Sequence, residues 1–176
     1  MAIKNVEVKA SCKNIAKIRK ILKSKKARFA GTDHQTDTYF KVSSGRLKLR
    51  EGTIENNLIY YSRPNTRSLK KSNILLLPVK NGKPLREMLA KSIGIKTVVD
   101  KKREIYYLEN VKFHLDNVKG LGTFIEIEAI DIDGKFGYAK IGQQCSDYKK
   151  LLGIKTQDIL SHSYSDMLLH KQNEKT

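Results

Sequence analysis

The sequence predicts an α+β fold: an eight-stranded antiparallel closed β-barrel with flanking helices. Three observations carry this. Eight segments alternate polar and apolar residues with a period of two. Most follow one another across short turns bearing Gly or Asn, as hairpin strands do. Between them lie stretches with apolar residues at helical spacing.

The first strand spans about 3–10 and leads into a helix over 13–28, KNIAKIRKILKSKKAR. There Ile15, Ile18 and Leu22 form an apolar stripe among lysines. Strands follow at about 35–42, 46–52, 57–64 and 72–79, with turns at SSG (43–45) and ENN (55–57). A second helix is expected over 84–93, with Pro84 at its first position, Leu85, Met88 and Leu89 buried, and Gly94 as C-cap. Strands at about 98–108, 111–117 and 122–131 come next, turning at EN (109–110) and KG (119–120). Ile141, Tyr148 and Leu152 mark one side of a helix over 137–151, closed by Gly153, and residues 157–169 read as a short final helix. Eight strands in near-hairpin succession make a sheet large enough to close. Residues 1–169 are expected to form a single domain, with 170–176, HKQNEKT, as a polar tail.

Composition narrows the function classes. The chain has 176 residues and a formal net charge of +17, from 35 Lys and Arg against 18 Asp and Glu. Such an excess attracts polyanions. No run approaches the roughly 18 apolar residues of a membrane span, and MAIKNVEVKA has no signal-peptide core. Neither a disulfide framework nor a zinc motif is formed by Cys12 and Cys145, so a cytoplasmic location is expected. The Lys-rich first helix lacks interleaved aromatics, so a solvated helix is expected there rather than a nucleic-acid contact. No membrane partner is expected either.

The polar faces of the strands are the informative feature. Residues two apart share a side. Asn5, Glu7 and Lys9 lie together, as do Arg46, Lys48 and Arg50; Tyr61 and Arg63; Lys101 and Arg103; His114 and Asp116; and Phe124, Glu126 and Glu128. For any single strand an ordinary amphipathic sheet explains this. Together the strands segregate charge, some cationic and others acidic. A metal–polyphosphate complex needs that division, because phosphate oxygens take Arg and Lys donors while a hard divalent cation takes carboxylates. In a closed barrel the charged faces would turn inward and the apolar faces outward, under the helices.

The ordered set of NVEVK, RLKLR, the Lys101–Arg103 pair, and HLD before GLGTFIEIE resembles the CYTH family. That family comprises the class IV adenylyl cyclases and thiamine triphosphatases, also called triphosphate tunnel metalloenzymes. HQTDTYF and GLGTFIEIE are most similar to small prokaryotic class IV adenylyl cyclase-like members. The resemblance runs from Asn5 to the 163–169 segment SYSDMLL. It implies a charged tunnel, dependence on Mg²⁺ or Mn²⁺, and ATP or another triphosphate-bearing small molecule as substrate.

By motif, Glu126 and Glu128 would bind metal with Glu7 completing the site, and Asp116 would join or support them. Glu7, Lys9 and Asp116 are the implied catalytic residues. Lys9, Lys48, Arg50, Arg63, Lys101 and Arg103 would bind the triphosphate, with Arg46 and Lys80 as further candidates and Asp37 in a supporting or loop role. Asn5 stands where the family motif begins with Glu, so one metal position should bind more weakly. His114 is expected to be a satisfied barrel histidine, with proton transfer as the alternative.

Three activities stay open: cyclisation of ATP to cyclic AMP and pyrophosphate, hydrolysis of a triphosphate, and non-catalytic binding of polyphosphate or nucleotide. Pairing into a homodimer is also open.

Overall fold

The computed structural model describes residues 3–62 and 68–174. Eight strands close a barrel: β1 (Ile3–Ser11), β2 (Arg28–Phe40), β3 (Arg46–Glu51), β4 (Asn57–Ser62), β5 (Lys70–Pro78), β6 (Ile95–Leu108), β7 (Val111–Val118) and β8 (Gly122–Asp131). Around the barrel the order is β1-β5-β4-β3-β2-β6-β7-β8, with β8 paired back to β1. The helices are α1 (Ile15–Ser24), α2 (Gly82–Ile93), α3 (Gly137–Leu151) and α4 (Tyr164–Asn173). Among the described residues no helix is long and apolar enough to cross a membrane.

The barrel is inverted relative to an ordinary sheet core. Val6, Val8 and Ala10 of β1, Phe113 and Leu115 of β7, and Ile125 and Ile127 of β8 all point outward yet are almost fully buried. They are covered by Ile18 and Leu22 of α1, Ile141 and Cys145 of α3, and Leu152 and Ile159. Full burial of each such aliphatic side chain contributes about 1.5–3 kcal/mol. The stability of this wall thus comes from the helix–sheet layer outside the barrel, which frees the interior to be polar. Opposite, the β4–β5 wall is bare: Leu75 and Leu77 are 56% and 60% exposed.

Several elements differ from the sequence reading. The first helix stops at Ser24, because Lys26 takes a positive φ of 57° and the Ala27 amide donates back to the Leu22 carbonyl. The chain from Arg28 instead belongs to β2, which is seven residues longer at its start than expected and ends at Phe40. Two residues earlier than expected, at Gly82, α2 begins, and Met88 is exposed while Leu85 and Leu89 are partly buried. This helix rests on the edge of β3 through Arg86, which donates to Glu51 at 2.6 Å. Gly94 caps it with φ 79°.

The final helix over 157–169 is replaced by a 3₁₀ turn at Thr156–Asp158 and then by α4, which starts at Tyr164. A capping box sets that start: the Ser163 hydroxyl accepts from the Asp166 amide and the Asp166 carboxylate accepts from the Ser163 amide. Residues 170–173 of the expected tail form the end of α4.

Candidate active site

Strand alternation brings the polar faces to one cavity. Its lining includes Asn5, Glu7 and Lys9 of β1, Lys48 and Arg50 of β3, Lys101 and Arg103 of β6, and Glu126 and Glu128 of β8. Because every pairing is antiparallel, β1, β4, β7 and β2 start at the barrel end where β3, β5, β6 and β8 finish. The opposite end is covered by Tyr164, whose ring lies 4.0 Å from Lys9 Nζ and whose hydroxyl donates to Asp116 Oδ2 at 2.7 Å.

Two ionic clusters organise the interior. In the first, Asp37 of β2 gathers three cations from its two neighbouring strands, β3 and β6. It accepts from Arg50 Nε and Nη2 at 2.8 and 3.0 Å, from Lys48 at 3.1 Å and from Lys101 at 2.7 Å. Burial opposes the Asp37 charge, but Arg50, Lys101 and Lys48 together hold its carboxyl well below the usual range. The Lys101 pKa also moves down, which for an ammonium favours the neutral form. Burial pushes it down to about 7, and Arg50, Arg103 and Lys48 add to that while Asp37 resists it.

In the second cluster, Arg103 holds Asp116 with two bonds of 2.6 Å and reaches Glu126 at 2.8 Å. Lys9 meets the other Glu126 oxygen at 2.8 Å. Asp116 is therefore tied to Arg103 and Tyr164.

The donors that can take a cation sit beside this second cluster. His114, Glu126 and Glu128 each bring one ligand atom within 4.8 Å of the others. His114 Nδ1 lies 3.1 Å from Glu126 Oε2. With Glu126 ionised, that bond requires the proton on Nδ1, so Nε2 presents a lone pair toward Glu128, 4.0 Å away. Among the described residues Nε2 has no hydrogen-bond partner, and neither has the buried Asn5 Oδ1. Glu7 stands directly across from Glu128 in the β1–β8 register.

Burial, then Glu126, then Glu7 push the Glu128 carboxyl up to about 7. Crowded carboxylates beside an unpartnered imidazole nitrogen fit a divalent cation. Burial and Arg103 push His114 itself down to about 3, which leaves it neutral at pH 7 and suits it to ligation rather than proton transfer.

The remaining candidates are placed as follows. Arg63 lies outside the described residues. Arg46 faces a neighbouring cleft with Tyr39 and Lys41 and reaches Asp166 at 3.1 Å. Lys80 is exposed between β5 and α2, outside the cavity, because β5 ends at Pro78.

The sequence reading did not single out Lys112, although the same rule of two that paired His114 with Asp116 places Lys112 on their side. It also missed Glu55, which lies in a loop without periodicity, and Tyr164, which reaches the cavity only through the packing of α4.

Comparison with known proteins adds one family match and three relatives. The CYTH domain family matches residues 4–164. A protein of Methanocaldococcus jannaschii named "Putative adenylate cyclase MJ0240" is 27% identical over 173 residues, covering 92% of this chain and 97% of that one. The PH1012 protein of Pyrococcus horikoshii superposes with a TM-score of 0.78 at 27% identity, over 92% of this chain and 98% of the other. HpAC1 from Hippeastrum is named a "putative adenylyl cyclase" and described as having a dominant triphosphatase activity. It shares the fold at a TM-score of 0.60 and 13% identity, over 98% and 96% of the two chains.

Proposed function

From the premise that this chain belongs to the CYTH domain family, we propose that it is a metal-dependent enzyme acting on a triphosphate inside the barrel, of the class IV adenylyl cyclase-like type. One observation carries the reading: cations from β1, β3 and β6 and carboxylates from β1 and β8 converge on a single cavity. Glu126, Glu128 and His114, with Glu7 opposite, would hold Mg²⁺ or Mn²⁺. When bound, such an ion offsets phosphate charge and lowers the pKa of an attacking hydroxyl or water.

The chain's own residues do the rest. Arg50 and Arg103 offer planar, always-charged donor forks suited to phosphate oxygens, and Lys9, Lys48 and Lys101 add point charges. Asp37 holds Lys48, Arg50 and Lys101, and Asp116 holds Arg103, in place before the substrate arrives, so little reorganisation remains at the moment of reaction. Tyr164 and Ser163 cover one end and limit water there.

Cyclisation of ATP to cyclic AMP and pyrophosphate agrees with the name of the M. jannaschii relative. A second reading is hydrolysis of the triphosphate. It is favoured by the end of the cavity facing away from Tyr164, where the lining includes the apolar Ile3, Leu76, Ile130 and Ile132 and where Glu55 is already bound by Arg50, Lys112 and Gln35.

The test is an assay with Mg²⁺ or Mn²⁺ on ATP and on tripolyphosphate, following cyclic AMP, pyrophosphate and orthophosphate together. Turnover of either substrate is expected, and the products decide between the two reactions. Binding without turnover of any triphosphate would make the protein a binding module instead. In the same assays Arg50→Ala is expected to weaken triphosphate binding about tenfold to a hundredfold, as for loss of a charged hydrogen-bond donor. Lys23→Ala on α1 should leave it within about twofold. Equal losses would mean that diffuse surface charge, not the cavity, holds the substrate.

A further inference from the structure

The β3–β4 loop places a carboxylate in the cavity that the family motif does not account for. Glu55 lines the cavity at the end facing away from Tyr164. Its Oε2 accepts from Arg50 Nη1 at 2.8 Å and from Gln35 Nε2 at 3.2 Å, and its Oε1 accepts from Lys112. Its side chain is 17% exposed. Burial alone would raise its pKa, but Arg50 and Lys112 hold it below the ordinary range. Glu55 thus stands as an anion on two cations of the cavity.

The loop that carries it is anchored. Asp33 of β2 is fully buried and accepts four bonds from this loop: the amides of Thr53, Ile54 and Glu55 at 2.6, 2.9 and 3.0 Å, and the Thr53 hydroxyl at 2.9 Å. Gln35 donates to both Asp33 and Glu55, at 2.8 and 3.2 Å, so the Glu55 side chain is tied to the same anchor. Swinging Glu55 away would break bonds to Arg50, Lys112 and Gln35 at once.

The surroundings add a second restriction. Among the described residues the cations lining the cavity are Lys9, Lys48, Arg50, Lys101, Arg103 and Lys112. Arg50 and Lys112 are the two already engaged by Glu55. Around them, the lining contributed by the start of β1 and the ends of β5 and β8 is Ile3, Leu76, Ile130 and Ile132. A phosphate chain running toward this end would meet a fixed carboxylate that already occupies the two local cations, and then a rim that is apolar apart from Asn57. Like charges in a low-dielectric cavity repel far more strongly than in water.

We infer that Glu55 is a fixed anionic stop that sets the length of phosphate chain the cavity accepts, admitting a triphosphate and rejecting longer chains. The inference rests on the triphosphate reading above. Glu55 determines specificity here and takes no part in the chemistry.

Calorimetric titration with tripolyphosphate and with a long linear polyphosphate, each with Mn²⁺, tests this on the full chain and on Glu55→Gln. Gln is isosteric and keeps an acceptor for one of Lys112 and Arg50, and its thermal midpoint checks the fold. In the unaltered protein the long chain should bind no more tightly than tripolyphosphate, a result that needs no variant. In Glu55→Gln the affinity ratio of long chain to tripolyphosphate should rise about tenfold or more. A long chain binding more tightly than tripolyphosphate to the unaltered protein would overturn the stop, as would an identical ratio in the two proteins. In either case the triphosphate site itself would stand. Failure of both proteins to bind tripolyphosphate at all would overturn the site reading and this inference together.

Discussion

Arg103 and Asp116, on neighbouring strands β6 and β7, are joined by two hydrogen bonds of 2.6 Å, and the same guanidinium reaches Glu126 at 2.8 Å. All three side chains are buried, Asp116 completely. Arg103→Met would leave Asp116 without its main partner and Glu126 with only Lys9 and His114. We expect a loss of about 3–5 kcal/mol of stability, the cost of breaking one side of a buried ion pair. Urea unfolding measures it. A loss below about 1 kcal/mol would show that water or Lys9 replaces the guanidinium at little cost.

Glu126→Gln and Glu128→Gln should both abolish metal-dependent turnover, yet they should differ in the absence of metal. Glu126 is bound by Lys9, Arg103 and His114, so neutralising it leaves those groups with a poorer partner. Glu128 faces Glu7 across the sheet and its main neighbouring charge is Glu126, so its replacement removes like-charge repulsion. Thermal unfolding without metal should therefore place Glu128→Gln at or above the unaltered protein and Glu126→Gln below it. Added Mn²⁺ should raise the midpoint of the unaltered protein and of neither variant. Full activity in both variants would remove these glutamates from the metal site.

Metal choice should depend on His114. Imidazole nitrogen suits Mn²⁺ better than Mg²⁺, which demands oxygen ligands. His114→Asn retains a donor to Glu126 but removes the nitrogen that faces Glu128. The ratio of Mn²⁺- to Mg²⁺-supported activity should fall in this variant. An unchanged ratio, with activity intact, would mean that His114 does not touch the ion.

Lys101 gives the substrate affinity a pH dependence of definite sign. In the free protein burial pushes its pKa from the ordinary 10.5 down to about 7. A triphosphate beside it favours the charged form, so above pH 7 binding should take up a proton and weaken as pH rises. Calorimetry at pH 8 in buffers of different ionisation enthalpy reads the uptake directly. Lys101→Arg stays charged throughout and should flatten the profile. The same shift acts on folding. The unfolded chain binds the Lys101 proton more tightly than the native one, so this group's contribution to stability rises between about pH 7 and 10.5. Proton release on binding would contradict the assignment.

Much of the barrel is legible in the sequence, because period-two alternation marks part of each strand and because one spacing rule places Glu7, Lys48, Arg103 and Glu126 on sides that line the cavity. The start of β2 was not legible. Its segment Thr32–Gln35 is polar on both faces: Asp33 and Gln35 point inward to bind a loop, and His34 on the other face meets Asp100, so no apolar alternation carries the strand back to Arg28. Glu55 and Tyr164 were hidden for another reason. Their positions depend on anchors distant in sequence, Asp33 for the first and Asp116 for the second, and local patterns carry no trace of such pairings.

The uneven jacket of helices has a dynamic consequence. Where α1 and α3 clasp β1, β7 and β8, backbone amides are shielded by a thick apolar layer. Where Leu75 and Leu77 face solvent, β4 and β5 have little beyond their own ladder to hold them. Deuterium should enter that bare flank first, through local openings well below the global unfolding free energy. Arg50 of β3 hangs beside this looser flank and Arg103 belongs to the clasped one, so an anion gripped by both would staple the halves together and slow exchange on the weak side.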